Sequence, residues 1–375
     1  MDSMNRNILE SVLALPTMSY HEVAVSTFVR WYASGLGLSV SEDRAGNLLV
    51  CYPPLCKGRA GRGRSAGVTF AAHMDHPGFE VIGSNGKKAT VAQWGKVDLG
   101  VFGGSRVLVH TAEGPVRGAI GKKPLRQKHL GRAVFELKAE QGVAKGDFGA
   151  FDIPPVKFSK GIIHALAADN LISVAAILDL MTRFAVGRAR VNVSGLFTRG
   201  EEAGFLGAFA AMESKFIPKD APLVVLECSS AKGGGVQIGG GPVVRAGDLQ
   251  STYDPEVEVW ISGVASSIAA GHRSLVTGHG FRFQRALLQG GRCEACVYVA
   301  EGYRTGGIAM PLGNYHNQGP KGYAAEYVSE EDYAHYIELL AALAHRPMSR
   351  GTMRAKVAPI WKHYRGLKRK FLASR

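Results

Sequence analysis

Residues 191–202 constrain the fold more than any other stretch. Val191-Asn192-Val193-Ser194-Gly195-Leu196-Phe197 is rich in β-branched and apolar side chains and reads as a strand. Residues 204–212 read as a short helix. Between them stand Thr198-Arg199-Gly200-Glu201-Glu202, so two adjacent carboxylates fall where a strand gives way to a helix. In an open α/β sheet that is where ligands bind. Adjacent carboxylates repel and raise each other's pKa unless a cation sits beside them. The expectation is that one glutamate holds a metal ion and its neighbour moves protons.

A chain of 375 residues can bury a large core and has room for two domains. Its composition, 46% hydrophobic and 20% charged, is that of an ordinary soluble globular protein. No apolar run approaches the roughly 20 residues that cross a bilayer. The first residues lack the basic and apolar regions of a signal peptide. Five cysteines, an odd and sparse count, point to reduced thiols. Together these features predict a cytoplasmic protein with no membrane partner. The net charge is +14, and residues 346–375 alone carry ten Lys or Arg and no acid. That basic tail reads as a solvated appendage or as a binding segment for nucleic acid or an acidic partner.

Residues 4–15 place Ile8, Leu9, Val12, Leu13 and Leu15 on one helical stripe, stopped by Pro16. Ser19 and Glu22 have capping-box spacing, which predicts a second helix opening there and running to about Ala33. Residues 47–52 read as a strand and 53–66 as a loop rich in Gly, Arg and Pro. Residues 67–72 are continuously apolar, as in a strand buried on both faces, and deliver His73-Met74-Asp75 to its end. A metal-binding imidazole needs its other nitrogen held, which Asp75 is placed to do. From about Phe79 to Gly161, short alternating runs separated by glycines predict an all-β insert.

The α/β texture resumes at Ala167-Ala168-Asp169-Asn170, ahead of an apolar helix over 171–184. Asp169 reads there as an N-cap or as a site residue. Residues 223–226 predict another buried strand, ending at Glu227-Cys228. The glycine-dense stretch 233–242 lacks the Lys-Ser/Thr of a phosphate loop and predicts turns. Residues 257–261 read as a strand. Cys293-Glu294-Ala295-Cys296 also lies in strand-like sequence, which would point its thiols to opposite faces and argues against a metal or redox pair. His316 falls in a Gly/Pro/Asn loop, and residues 330–344 predict a closing amphipathic helix. Basic stretches at 57–64 and 122–132 read as solvated loops, or as a preference for acidic substrates if they border a site.

His73, Asp169, Glu202, Glu227 and His316 all fall at expected strand ends, helix starts or loops, so they can share one rim. Two histidines with bridging and terminal carboxylates suit a pair of divalent metals about 3.5–4 Å apart. Nitrogen and oxygen donors without cysteine suit catalytic zinc, with cobalt or manganese as alternatives.

Five stretches carry a family likeness: Ala72-His73-Met74-Asp75-His76-Pro77-Gly78-Phe79, Ala168-Asp169-Asn170, Glu201-Glu202-Ala203-Gly204, Val225-Leu226-Glu227 and Pro311-Leu312-Gly313-Asn314-Tyr315-His316. In their order and spacing, over residues 5–345 and including the β insert, the chain resembles the glutamyl (tetrahedral) aminopeptidases of the dinuclear zinc exopeptidase clan. The resemblance implies an α/β catalytic domain of the zinc-exopeptidase type, a mixed sheet flanked by helices, over 1–78 and 160–345. A small barrel-like all-β domain at 79–159 would interrupt it, and the basic tail 346–375 would follow. The implied activity is a two-metal aminopeptidase that hydrolyses the N-terminal peptide bond of peptides with a metal-activated water. Glu201 is the implied general base, Asp75 the residue orienting His73, Asp169 the bridging ligand and Glu202 a further ligand. His73 and Glu227 are implied as terminal ligands of different metals, or as sharing duties with Glu202 and His316. A homo-oligomer is implied as well. The chain departs from the family pattern at His76, where an acid is usual, at Glu227, where Asp is usual, and at Asn317, where Ser or Thr is usual. The same site would serve an amidohydrolase or deacylase acting on a non-peptide amide. A non-catalytic protein binding through its tail is the third reading, and an intact Glu201 argues against it.

Overall fold

The computed structural model describes residues 3–53, 67–233, 235–271, 280–288, 290–349 and 351–373. The loop expected at 53–66, with its basic stretch, lies outside the described residues apart from Pro53. Eight strands form the larger sheet: β1 (Ser39–Glu42), β2 (Leu48–Tyr52), β3 (Val68–His73), β4 (Val193–Thr198), β5 (Leu223–Ser230), β6 (Val243–Asp248), β7 (Gln284–Leu288) and β8 (Thr305–Leu312). Their spatial order is β1-β2-β4-β3-β5-β8-β6-β7. The central strands β4, β3, β5 and β8 run parallel, and antiparallel pairings flank them. The central strands therefore send their C-terminal ends to one edge, where His73 stands opposite Thr198 and Glu227 opposite Ala309.

Apart from a four-residue helix at Leu99–Phe102 in the insert, the described α-helices are α1 (Ser3–Leu13), α2 (Val23–Gly35), α3 (Ala168–Val186), α4 (Leu206–Glu213), α5 (Pro255–Ala270), α6 (Ala295–Ala300), α7 (Glu330–His345) and α8 (Thr352–Ala373). Successive strand side chains point to opposite faces and so feed two cores. Leu48, Val50, Phe70, Ala72, Val224 and Leu226 join the core that contains residues of α1, α3, α5 and α7. Leu49, Ala71, Leu196, Leu223 and Val225 join the core with α4 and α6. The apolar runs of the central strands follow from this burial on both sides. α3 has no polar face until its end and is buried almost throughout.

Between β3 and α3 the chain folds a separate antiparallel sheet. Its strands follow the order Lys88–Trp94, Gly78–Asn85, Phe148–Phe151, Arg106–Thr111, Gly114–Ile120 and Arg132–Ala139, with Lys128–His129 added beyond. Pairing of Lys88–Trp94 with Arg132–Ala139 closes it into a small barrel. Phe79, Val81, Val91, Val107, Val109, Phe135 and Leu137 fill the interior. Closure removes the open edges that a free sheet would present. The mixed α/β class and the barrel-like insert are as expected from sequence.

Three local expectations fail. α2 starts at Val23 without a capping box. The Ser19 hydroxyl instead donates to Asp75 Oδ2 at 2.6 Å, and Glu22 Oε1 accepts from the Gly200 amide at 3.0 Å. Residues 257–261 belong to helix α5, not to a strand. Its start signal is Asp254, which accepts from the Glu256 and Val257 amides, followed by Pro255 in the first turn. Burial of Val257, Ile261 and Val264 along one helical face, with Ala265, outweighs the strand tendency of the three β-branched residues. Helix α6 starts just after Glu294, so Cys293 and Cys296 flank a helix start rather than alternate along a strand, and neither forms a disulfide. The glycine-dense stretch does make turns, whose Gly239 and Gly241 amides donate to Asp332 of α7.

Asp254→Ala deletes the oxygen, Oδ1, that accepts from both amides at the start of α5. The expected loss is about 0.5–2 kcal/mol of stability, read as a lower urea midpoint at unchanged slope. An unaltered midpoint would mean that the cap does not hold this helix.

Candidate metal centre

The site is built where β3 and β4 end side by side. Two buried carboxylates fix the turn after β4. Asp75 Oδ1 accepts from the Glu201 amide at 2.9 Å, and its Oδ2 accepts from the Glu202 amide at 3.1 Å. Glu22 Oε1 takes the Gly200 amide, and its Oε2 pairs with Arg199 Nη2 at 2.8 Å. Three consecutive amides ahead of α4 thus land on anionic oxygens. Without them these donors would be among the unsatisfied groups of a strand-to-helix turn.

His73 turns its Nδ1 to the Asp75 carbonyl oxygen at 3.1 Å, with Asp75 Oδ1 at 3.5 Å. Its Nε2 faces Asp169 Oδ1 at 3.5 Å and Glu227 Oε1 at 3.8 Å. Asp169 is not an N-cap. It has non-helical dihedrals (φ −82°, ψ 104°), its amide donates to Glu326 Oε2 at 2.9 Å, and its carboxylate points into the rim. Asp169 Oδ2 lies 3.8 Å from His316 Nε2, which is 2.8 Å from Glu202 Oε1. The loop reaches this position through left-handed backbone at Asn314, His316 and Asn317. The His316 amide donates to Glu326 Oε1 and its Nδ1 to the Lys96 carbonyl, both at 2.8 Å. Each histidine is therefore held through Nδ1, which leaves Nε2 for a ligand role.

The donors fall into two groups, His73 with Glu201 and Glu227, and Asp169 with Glu202 and His316, each with ligand atoms within 4.8 Å of one another. His73 and Glu227 lie in one group, and Glu202 and His316 in the other. Asp169 stands between the groups, one oxygen towards each histidine.

Burial drives the electrostatics. It lifts Glu201 well above the carboxylate range, with Glu202, Glu227 and Asp75 adding to the rise. It also pushes Glu227 up to about 7, with Asp169 adding. Burial alone would lower His316, but Glu202 and Asp169 carry it to about 9. Asp169 Oδ1 and Glu227 Oε1 are buried with no hydrogen-bond partner. Anionic oxygens without donors are costly inside a protein unless a cation meets them. A nitrogen and oxygen donor set with orphaned carboxylate oxygens fits divalent metal.

Several contributors carried no sequence signal as site residues. Glu326 gathers the amides of Asp169 and His316 from 157 and 10 residues away. Glu22 reaches across 178 residues to Gly200. Glu294, raised to about 7 by burial, accepts from the Thr198 hydroxyl at 2.7 Å beneath His73. Arg245, fully enclosed under β5, donates to the Cys228 carbonyl and to Ser229 Oγ. A cavity of about 550 Å³ lies at the opposite strand ends, lined by Gly67, Val191 and Asn192 among others, and contains none of these groups.

An α/β sheet with imidazoles and carboxylates converging at its strand ends is the framework of a metal-dependent hydrolase. The family model described as M42 glutamyl aminopeptidase matches residues 56–339, and the chain belongs to that family. Membership in an enzyme family sets aside the non-catalytic reading. Solved structures share the fold. A TET aminopeptidase from a marine-sediment Thaumarchaeota archaeon has 19% identity and a TM-score of 0.76, covering 94% of this chain and 99% of its own. An aminopeptidase of Desulfurococcus kamchatkensis has 20% identity and a TM-score of 0.73, covering 92% and 96%. A TET peptidase of Pyrococcus horikoshii, which can assemble into a tetrahedron or a large octahedral shell, has 21% identity and a TM-score of 0.70, covering 91% and 99%.

Asp75→Asn would set an amide NH2 against a backbone N–H of the Glu201-Glu202 turn. Outer partners of a metal ligand typically contribute about 10–100-fold in affinity or activity. Metal retention against a chelator is expected to fall by that order while the circular dichroism spectrum stays unchanged; wild-type retention would remove Asp75 from this role.

Proposed function

We propose that this protein is a two-metal aminopeptidase that releases the N-terminal residue of peptides. The observation that carries the reading is the Asp169 carboxylate, one oxygen facing His73 and Glu227 and the other facing His316 and Glu202. In this reading His73, Asp169, Glu202, Glu227 and His316 hold two divalent ions, zinc or else cobalt or manganese. The ions supply Lewis acidity to the peptide carbonyl and acidify the attacking water. Glu201 takes the water's proton on its carboxylate and returns it to the departing amine. Asp75 holds His73 in orientation through Nδ1 and sets the Glu201-Glu202 turn with its two oxygens. The catalytic unit is assigned to 1–78 and 160–345 and the insert to 79–159.

The test combines metal analysis with rates on aminoacyl-arylamides. About two metal ions per chain are expected in the wild type and in Glu201→Gln, and a sharp drop in Asp169→Ala. Glu201→Gln is expected to lose about 10²–10⁴-fold in turnover. Near wild-type turnover in that variant would refute the base, and cleavage of acyl-amino acids alone would point to a deacylase.

Self-assembly is also proposed, supported by the assemblies named for the solved relatives. Light scattering at micromolar concentration is expected to give a mass several times 40.0 kDa. A monomer mass would exclude it.

A further inference from the structure

Helix α8 takes no part in the site, and sequence reading registered only its charge. Ile360, Trp361, Tyr364 and Leu367 recur at helical spacing and share one face. They are 68%, 57%, 39% and 49% exposed, and the Trp361 and Tyr364 rings meet edge-on at 5.8 Å. Lys362 and Arg365 flank that face on one side, Lys356 and His363 on the other. Among the described residues, α8 packs on α5, and at its start the Met353 amide donates to Glu256 Oε2 at 3.2 Å. From Pro359 to Lys368 every side chain is exposed.

An occupant of this surface must be anionic and receive apolar side chains at once. A second copy is a poor match, because residues 1–345 carry 35 basic against 31 acidic residues, a net of +4. A single-stranded nucleic acid would answer the charges and stack on Trp361 and Tyr364, but would leave Ile360 and Leu367 in water. An anionic phospholipid surface answers both, with headgroups at the Lys and Arg side chains and the apolar face at the acyl boundary. Among the described residues no helix is long and apolar enough to cross a membrane, so α8 lies on the surface. We propose that α8 is an interfacial anchor that docks this hydrolase on anionic phospholipid, in place of the absence of a membrane partner expected from sequence.

The test is co-sedimentation of the full chain with phosphatidylcholine vesicles, plain or with roughly a third phosphatidylserine, a surface charge sufficient to attract polybasic segments. At about 0.1 M salt, charges still act over about 10 Å. The expected result is binding to the anionic vesicles only. Trp361→Asp is expected to weaken it at least about tenfold through lost burial and added charge. Lys362→Glu with Arg365→Glu is expected to weaken it more, at about fivefold per basic residue removed. Neither variant should alter the rate on a soluble arylamide. Four results would each overturn the proposal: no wild-type binding to anionic vesicles, equal binding to neutral ones, binding indifferent to Trp361→Asp, or binding of single-stranded nucleic acid in place of vesicles. A change of assembly mass in Trp361→Asp with no wild-type vesicle binding would assign the face to a second copy. The wild-type contrast between the two vesicle types decides the matter even if a variant misfolds.

Discussion

A carboxylate withdrawn from water must meet hydrogen-bond donors or a cation, and that demand shapes the whole rim of the larger sheet. Glu22, Asp75, Asp169, Glu227 and Glu326 are each at most 5% exposed. They meet the demand in two ways. Glu22, Asp75 and Glu326 collect backbone amides from distant segments, so each fixes one loop against another. Asp169 and Glu227 each keep one oxygen without any donor, and both of those oxygens face His73. The first set builds the rim, and the second leaves the positions that a cation would fill.

The closed insert belongs to the same construction. β3 leaves the sheet at His73, and within five residues the chain has entered the insert at Gly78. From there the insert returns two contacts to opposite sides of the rim. The Lys96 carbonyl accepts from His316 Nδ1. Arg132 lies 4.9 Å from the centre of the Trp94 ring and donates to the Ala203 carbonyl at 3.2 Å, beside the paired glutamates. A solvated loop is therefore the wrong description for this end of the 122–132 stretch. A rigid barrel suits the task, because both contacts need a backbone that does not drift when the loops around it move.

The sheet and the donors were legible in sequence because both obey local rules. Strands buried on two faces are continuous apolar runs, and strand ends in such a sheet gather ligands. What local rules missed is what distance decides. Ser19 and Glu22 satisfy a capping-box pattern, yet both side chains are claimed by partners across the sheet. An interior hydrogen bond to a buried turn wins over a cap that water could replace. At 257–261 the error ran the other way. A local signal was present in Asp254-Pro255, and β-branched residues in a buried helix face hid it. Glu326 had no signal at all, since its two amide donors come from a kinked helix start and a left-handed loop.

Two of the positions at which the sequence departs from the resemblance, His76 and Asn317, are in direct contact. His76 is buried with Nδ1 against the Asp169 carbonyl and Nε2 3.0 Å from Asn317 Oδ1, while Asn317 Nδ2 donates to the Leu166 carbonyl at 2.8 Å. Both partners of the His76 ring are acceptors, and burial lowers the ring's pKa, so the neutral imidazole has one N–H to donate between them. An acid at 76 would face two acceptors with no proton between them, and it would add negative charge beside Glu202. The imidazole at 76 and the amide oxygen at 317 meet as donor and acceptor. The His76 ring ties the Asp169 turn to the His316 loop, beside the centre that His73, Asp169, Glu202, Glu227 and His316 face.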